Sequence, residues 1–174
     1  MYRTLSRVIL IAAALTLSGW TLPTARAADE AKEQAELAKA MGGVKVTLQD
    51  GLKASAAQGK PISAKFEVED GKLQLSAYTM KGNSFSAVVV NPGSGKVDKA
   101  ETITDKEDLE HAVAQKAAMG KAKISLLAAT NNALKANSGY HAVSVYPAMK
   151  DGHPVATVTL LRGTAYKDVA EKLD

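Results

Sequence analysis

Cysteine is absent from the 174 residues. Disulfides, thiol nucleophiles, Cys-ligated zinc and iron–sulfur clusters are therefore excluded, and the core must hold by packing alone. Aromatic residues are scarce, at 5% of the chain, and the lysines are scattered among acids rather than gathered into a stripe. A nucleic-acid binder needs a basic surface, usually with aromatic platforms for the bases, so that partner class is not expected. The three histidines, His111, His141 and His153, share no ligand spacing such as His-x-x-x-His. No bound metal or cofactor is expected. Only one long apolar run exists, at the N-terminus, so the chain beyond it should hold no membrane span.

That run has the form of an export signal. Arg3 and Arg7 precede the apolar residues 8–17 (VILIAAALTL), and Ala25-Arg26-Ala27 offers the small residues of a peptidase site, with cleavage before Ala28. The apolar run is shorter than the roughly 20 residues a spanning helix needs. Residues 1–27 are accordingly read as a cleavable signal peptide, and the working protein as periplasmic or secreted. The formal charge of +4 shrinks with it, because three of the 22 basic residues and none of the 18 acids lie in that segment.

Residues 28–43 form a polar leader. DEAKEQAELAKAM at 29–41 is rich in helix formers, has little apolar face beyond Leu37 and Met41, and stops at Gly42-Gly43. From residue 44 the patterning sharpens. Thr47-Leu48-Gln49-Asp50 is a capping-box start for a helix running to about Gln58 and ending at Gly59. Ile62, Ala64, Phe66 and Val68 then alternate with Ser63, Lys65, Glu67 and Glu69, as in a strand with one wet face. Asp70-Gly71 predicts a hairpin turn, residues 72–80 a second strand, Gly82-Asn83 another turn and residues 85–90 a third strand. Asn91-Pro92-Gly93-Ser94-Gly95 is a dense turn cluster. A separate helix follows, started by Thr104-Asp105-Lys106-Glu107 and stopped at Gly120.

The first pattern then returns. A helix from Ser125-Leu126 runs through Leu134, and Val143, Val145, Pro147 and Met149 alternate 81 residues after their counterparts. At that offset Asp70-Gly71 meets Asp151-Gly152, Gly82 meets Gly163, Phe85 meets Tyr166 and Val88 meets Val169. The helix starts match at 78. The fold class expected is α+β: a tandem duplication of a helix plus three-stranded antiparallel sheet unit, at 44–98 and 123–174, with a connecting helix in 99–122.

One such unit resembles a PepSY domain. The residues that carry the resemblance in the first copy are Val46-Thr47-Leu48, Glu69-Asp70-Gly71-Lys72-Leu73 and the turn Val90-Asn91-Pro92-Gly93-Ser94-Gly95-Lys96-Val97. In the second they are Ile124-Ser125-Leu126, Asn132-Ala133-Leu134-Lys135 and Lys150-Asp151-Gly152-His153. The resemblance implies an extracytoplasmic protein, and a family found in propeptides of secreted zinc metallopeptidases and in envelope proteins, where it is proposed to restrain peptidase activity. No peptidase domain follows in this sequence, so restraint would act in trans. The second copy lacks the strand-ending turn of the first, because the sequence stops at Asp174. The family supplies no catalytic residue to carry over.

Catalytic patterns are thin. Gly93-Ser94-Gly95 reads as a β-turn rather than a nucleophile elbow, and it is too short for a phosphate loop. Glu67 and Glu69 belong on a solvated strand face, and Glu107, Asp108 and Glu110 suit the dipole at a helix start. His153 beside Asp151 fits a polar hairpin tip. The protein is thus expected to be a non-enzymatic binding module, with a peptidase or another envelope protein as partner. Edge strands that accept an extended peptide are the candidate contact elements, through Ser84, Phe85 and Ser86 in the first copy and Tyr166, Lys167 and Asp168 in the second. A competing arrangement pairs those two edges with each other. Two further uses stay open: an envelope structural or signalling protein docking through the charged leader, and a small-ligand or metal carrier using the cleft between the copies.

Overall fold

Three helix starts carry their own caps. Thr47 and Asp50 form a full capping box, with the Thr47 Oγ1 accepting from the Asp50 amide at 3.2 Å and the Thr47 amide donating to Asp50 Oδ2 at 3.0 Å. Ser125 accepts from the Ala128 amide at 3.1 Å. The third start differs by one residue from the sequence reading: Asp105, not Thr104, is the cap, and its carboxylate accepts from the amides of Glu107 and Asp108. A carboxylate there also complements the positive end of the helix.

The computed structural model describes residues 24–174. Residues 1–23, most of the segment read from the sequence as a signal peptide, lie outside the described residues. The order is α1 Thr24–Ala40, α2 Leu48–Ser55, β1 Lys60–Glu69, β2 Lys72–Lys81, β3 Ser84–Val90, β4 Val97–Thr102, α3 Lys106–Lys121, α4 Leu126–Ala136, β5 His141–Lys150, β6 His153–Arg162 and β7 Ala165–Lys172. The fold is α+β, with all seven strands in one antiparallel sheet ordered β4-β3-β2-β1-β5-β6-β7. No helix among the described residues is long and apolar enough to cross a membrane.

The two hairpin tips are alike in conformation. Asp70 and Gly71 have φ of 49° and 74°, and Asp151 and Gly152 have 51° and 83°. Two successive positive φ values match the twist of the flanking strands, which is why an Asp-Gly pair closes each tip. The register shifts of the two hairpins also recur 81 residues apart, between Pro61 and Ser63 and between Ala142 and Ser144. The halves meet where β1 pairs with β5, at Ala64 opposite Val145 and Lys65 opposite Ser144. Ala64 and Val145 are themselves 81 residues apart in the chain.

The structure corrects the expected unit in one way. The first half has a fourth strand, β4, just before the helix that starts after Asp105. Asn91 makes it: its Oδ1 accepts from the amides of Gly93 and Ser94, and its own amide donates to the Lys96 carbonyl, which reverses the chain onto β3. The connecting helix, α3, lies across the sheet. Leu48 and Leu52 of α2, with Leu126, Ala129 and Ala133 of α4, bury the face formed by Ala64, Phe66, Leu75, Ala77, Val88, Val145, Val158 and Leu160. Approach there is close enough that a Cβ on Gly51 would lie 2.3 Å from a Leu75 methyl. α3 covers the opposite face, where the Tyr78 hydroxyl donates to Asp108 Oδ1 at 2.7 Å and the Lys60 ammonium to the Met119 carbonyl at 3.4 Å.

The leader helix is α1. Residues 31–36 are exposed, and Leu37 and Met41 pack on the core. The helix is followed by Met41-Gly42, 78 residues before Met119-Gly120 near the end of α3. It also docks as α3 does: the Tyr166 hydroxyl, on the α3 side of the sheet, donates to the Gln34 carbonyl at 2.8 Å.

Two measurements test this packing. Thr79 is fully buried on the apolar face, and its hydroxyl has no partner. Thr79→Val should raise stability by about 1 kcal/mol, since a desolvated, unbonded hydroxyl is replaced by a methyl; urea unfolding reads it. The capping hydrogen bond from the Thr47 hydroxyl, then that from its amide, lowers the Asp50 pKa below its ordinary 3.8. A depressed folded pKa gives stability that is present above the unfolded value and lost as pH falls through the folded one. The stability gap between the wild type and Asp50→Asn should therefore be full at neutral pH and close on acidification well below 3.8.

Candidate functional site

The candidate contact residues fall into different environments. Ser84, Phe85 and Ser86 lie on β3, which is not an edge: β4 pairs with it, Ser86 stands opposite Thr102, and the Phe85 carbonyl accepts from the Ile103 amide at 3.0 Å. Phe85 is buried, with the Lys116 ammonium 5.9 Å above its ring centre. The sequence reading missed this because β4 is polar on both faces and shows no apolar alternation. Tyr166, Lys167 and Asp168 lie on β7, which is an edge. The Lys167 ammonium donates to Asn137 Oδ1 at 2.6 Å, and Asp168 Oδ1 accepts from the Thr159 hydroxyl at 2.7 Å. Burial raises the Tyr166 pKa above its ordinary value. β3 and β7 stand on opposite sides of the sheet centre, so the arrangement in which they pair is overturned: β1 and β5 are the strands that join the halves.

β7 presents its outer side to no other described element. Its N-terminal end is held by Tyr166 on α1. Its C-terminal end is held by Leu173, whose amide donates to the Pro154 carbonyl and whose carbonyl accepts from Lys123 and Ile124. His153 pairs through Nδ1 with Asp174 rather than with Asp151. That hydrogen bond, ahead of His153's charge, lowers the Asp174 pKa. The edge is therefore anchored at both ends and open between them.

A second feature lies under α3. Glu67 was expected on a solvated face, but its side chain is only 21% exposed and is held on all sides. It forms an ion pair with Lys65, and it accepts from the Ser76 hydroxyl at 2.6 Å and the Gln74 amide at 3.1 Å. The neighbouring tyrosines respond to this environment. Desolvation, then the Asp108 hydrogen bond, drives the Tyr78 pKa far up; desolvation, then the Glu67 charge, does the same to Tyr146. Between them, Ser63, Lys65, Ser76, Gln115 and Tyr146 line a cavity of about 10 Å³, and Gln115 Oε1 is buried there without a protein partner. A cavity of that volume takes about one water. The sequence did carry a signal for this covered face: on β5 and β6 it reads Ser144, Tyr146, Val155, Thr157, Thr159 and Leu161, with none of the charges a solvated face carries.

A third feature is a groove of about 380 Å³ where β1 and β5 diverge beneath the α1–α2 connection, walled by Met41, Val44, Phe66, Leu134, Tyr140 and Leu161. Arg162 stacks over Tyr140 at its mouth, 4.6 Å from the ring centre. The Gly93-Ser94-Gly95 segment is a turn, with the Ser94 hydroxyl accepting from the Lys96 amide. Among the described residues, no three His, Asp or Glu side chains gather closely enough to hold a metal.

No family model matches the chain, and no curated protein matches it. Among solved structures, a candidate lipoprotein from Clostridium difficile 630 is similar at 15% identity and a TM-score of 0.42, over 75% of this chain and 88% of that one.

The buried charge network has a measurable signature. Lys65→Met or Glu67→Leu alone should cost about 1–3 kcal/mol, because each leaves the partner's charge half-buried and unpaired. The double variant should cost less than the sum of the two, and a thermodynamic cycle from urea unfolding gives the coupling.

Proposed function

We propose that this chain is an exported, non-catalytic binding module that takes an extended polypeptide as an added strand along the open edge of β7. One contrast carries the reading. In the first half the outer edge of β3 is already filled by an antiparallel strand, β4, while β7, at the corresponding place in the second half, is open. The first half thus displays the kind of segment the second half can accept. Main-chain pairing along such an edge supplies affinity, and the alternating side chains on either face supply selectivity. The titratable groups under α3 support a structural role, since they bond one another around space for one water rather than a substrate.

The recurring order of helix, three strands and matched turns supports two copies of one ancestral unit, and the resemblance to PepSY domains makes an extracytoplasmic peptidase the partner of choice. Restraint would follow from β7 occupying the strand-binding cleft of the enzyme. The test is a titration of residues 28–174 into zinc metallopeptidases purified from the medium of the source organism. A photo-crosslinker is placed at Ala170 of β7 or, as control, at Ala100 of β4. Loss of peptidase activity near equimolar ratio, with capture from Ala170 only, is the expected result. Undiminished activity across the series would remove the peptidase from the proposal, and capture from Ala100 would remove β7.

A second reading rests on the groove. Its volume suits a small apolar ligand, and a carrier would show a ligand-dependent rise in melting temperature that Phe66→Ala or Tyr140→Ala diminishes.

A further inference from the structure

β7 has a pattern that can pair with itself. Lys167, Val169 and Glu171 stand opposite Leu160, Val158 and Ala156 of β6, on the face that α4 covers, while Tyr166, Asp168, Ala170 and Lys172 occupy the other face. In an antiparallel pair, a residue whose backbone groups point across the interface meets another of the same kind. Two copies of one strand can therefore meet only about an axis that passes through a residue, never between two.

Three such centres keep most of β7 paired. An axis through Asp168 opposes two carboxylates. An axis through Ala170 sets Val169 against Glu171 and brings Lys167 to Leu173, whose backbone already serves Pro154, Lys123 and Ile124. An axis through Val169 sets this half-buried side chain against its own copy. On the same face it places Lys167 opposite Glu171 of the second copy, twice. Glu171 has no ion-pair partner among the described residues, and Lys167 is held by a neutral Asn137 side chain, so both charges are available.

We propose that two copies of this chain associate through β7, antiparallel and centred on Val169, joining two seven-stranded sheets into one. The inference rests on the reading of β7 as the working edge, and it makes a second copy and an extended peptide competitors for that edge. The fold already uses this joint once, at Ala64 opposite Val145. The other edge is less suited: Lys99 and Glu101 of β4 pair within their own strand at 2.8 Å, and its register breaks opposite Val89 and Val90.

The absence of cysteine makes the test direct. Opposed residues in an antiparallel pair have Cα atoms about 4.5–5.5 Å apart, within the roughly 4.4–6.8 Å that a disulfide spans. Val169→Cys should therefore give a disulfide-linked dimer on mild oxidation, and Ala100→Cys should stay monomeric. By symmetry each charge substitution acts twice, so Lys167→Glu or Glu171→Lys should weaken the dimer roughly tenfold or more in sedimentation equilibrium, and the double swap should restore it. A wild-type chain that is monomeric at every concentration, or linkage through Ala100→Cys instead, overturns the proposal. Capture of a peptidase from Ala170 by a monomeric chain would reject self-pairing while leaving β7 as the docking edge. Absence of both would reject the two together.

Discussion

The short pairing of β1 with β5 is the constraint on which the rest depends. Two residue pairs, Ala64–Val145 and Lys65–Ser144, join the halves, and strand pairing that brief is weak by itself. The helices therefore clamp the joint from both faces. α2 and α4 meet over the apolar side, with Gln49 reaching Asn131, and α3 crosses the other. The strands diverge on either side of the joint because each hairpin shifts register beside it, at Pro61–Ser63 and Ala142–Ser144. One divergence opens the groove under the α1–α2 connection; at the other, Lys60 of β1 reaches the end of α3.

The same joint explains why the fold has a polar layer. α3 can cover the central strands only if the side chains beneath it are satisfied, since a buried charge without a partner is costly. Lys65 and Glu67 answer one another, Gln74 and Ser76 use the remaining lone pairs of Glu67, and Tyr78 turns to Asp108 on the helix. These groups act as mortar between helix and sheet. Placing β1 and β5 at the centre also sends the third strands to the outside, where one is filled by β4 and the other is open. The proposed binding edge is thus a consequence of how the halves join.

Local features were legible in the amino-acid order because local chemistry dictates them. Capping side chains set the starts of α2 and α4, Asp-Gly pairs closed the tips of β1–β2 and β5–β6, and period-two alternation marked the buried strand faces. β4 was not legible. Its residues, Val97-Asp98-Lys99-Ala100-Glu101-Thr102, are strand only because Asn91 folds them against β3. Glu67 read as a solvated acid for a similar reason: nothing within β1 reveals that Gln74 and Ser76 of the neighbouring strand will close around it.

The sequence by itself determined the α+β class, the positions of three helices and six strands to within a few residues, and the recurrence at 81 residues. Caps, turns and alternation act over a handful of residues, and they read the same in any context. The tertiary structure decided which strand pairs with which, which faces are covered and therefore which candidate residues lie at an edge. Those outcomes rest on contacts between segments distant in the chain, where Ala64 finds Val145 and Tyr166 finds Gln34. No local pattern encodes such a meeting, because the free energy that selects it belongs to the packed pair and not to either partner.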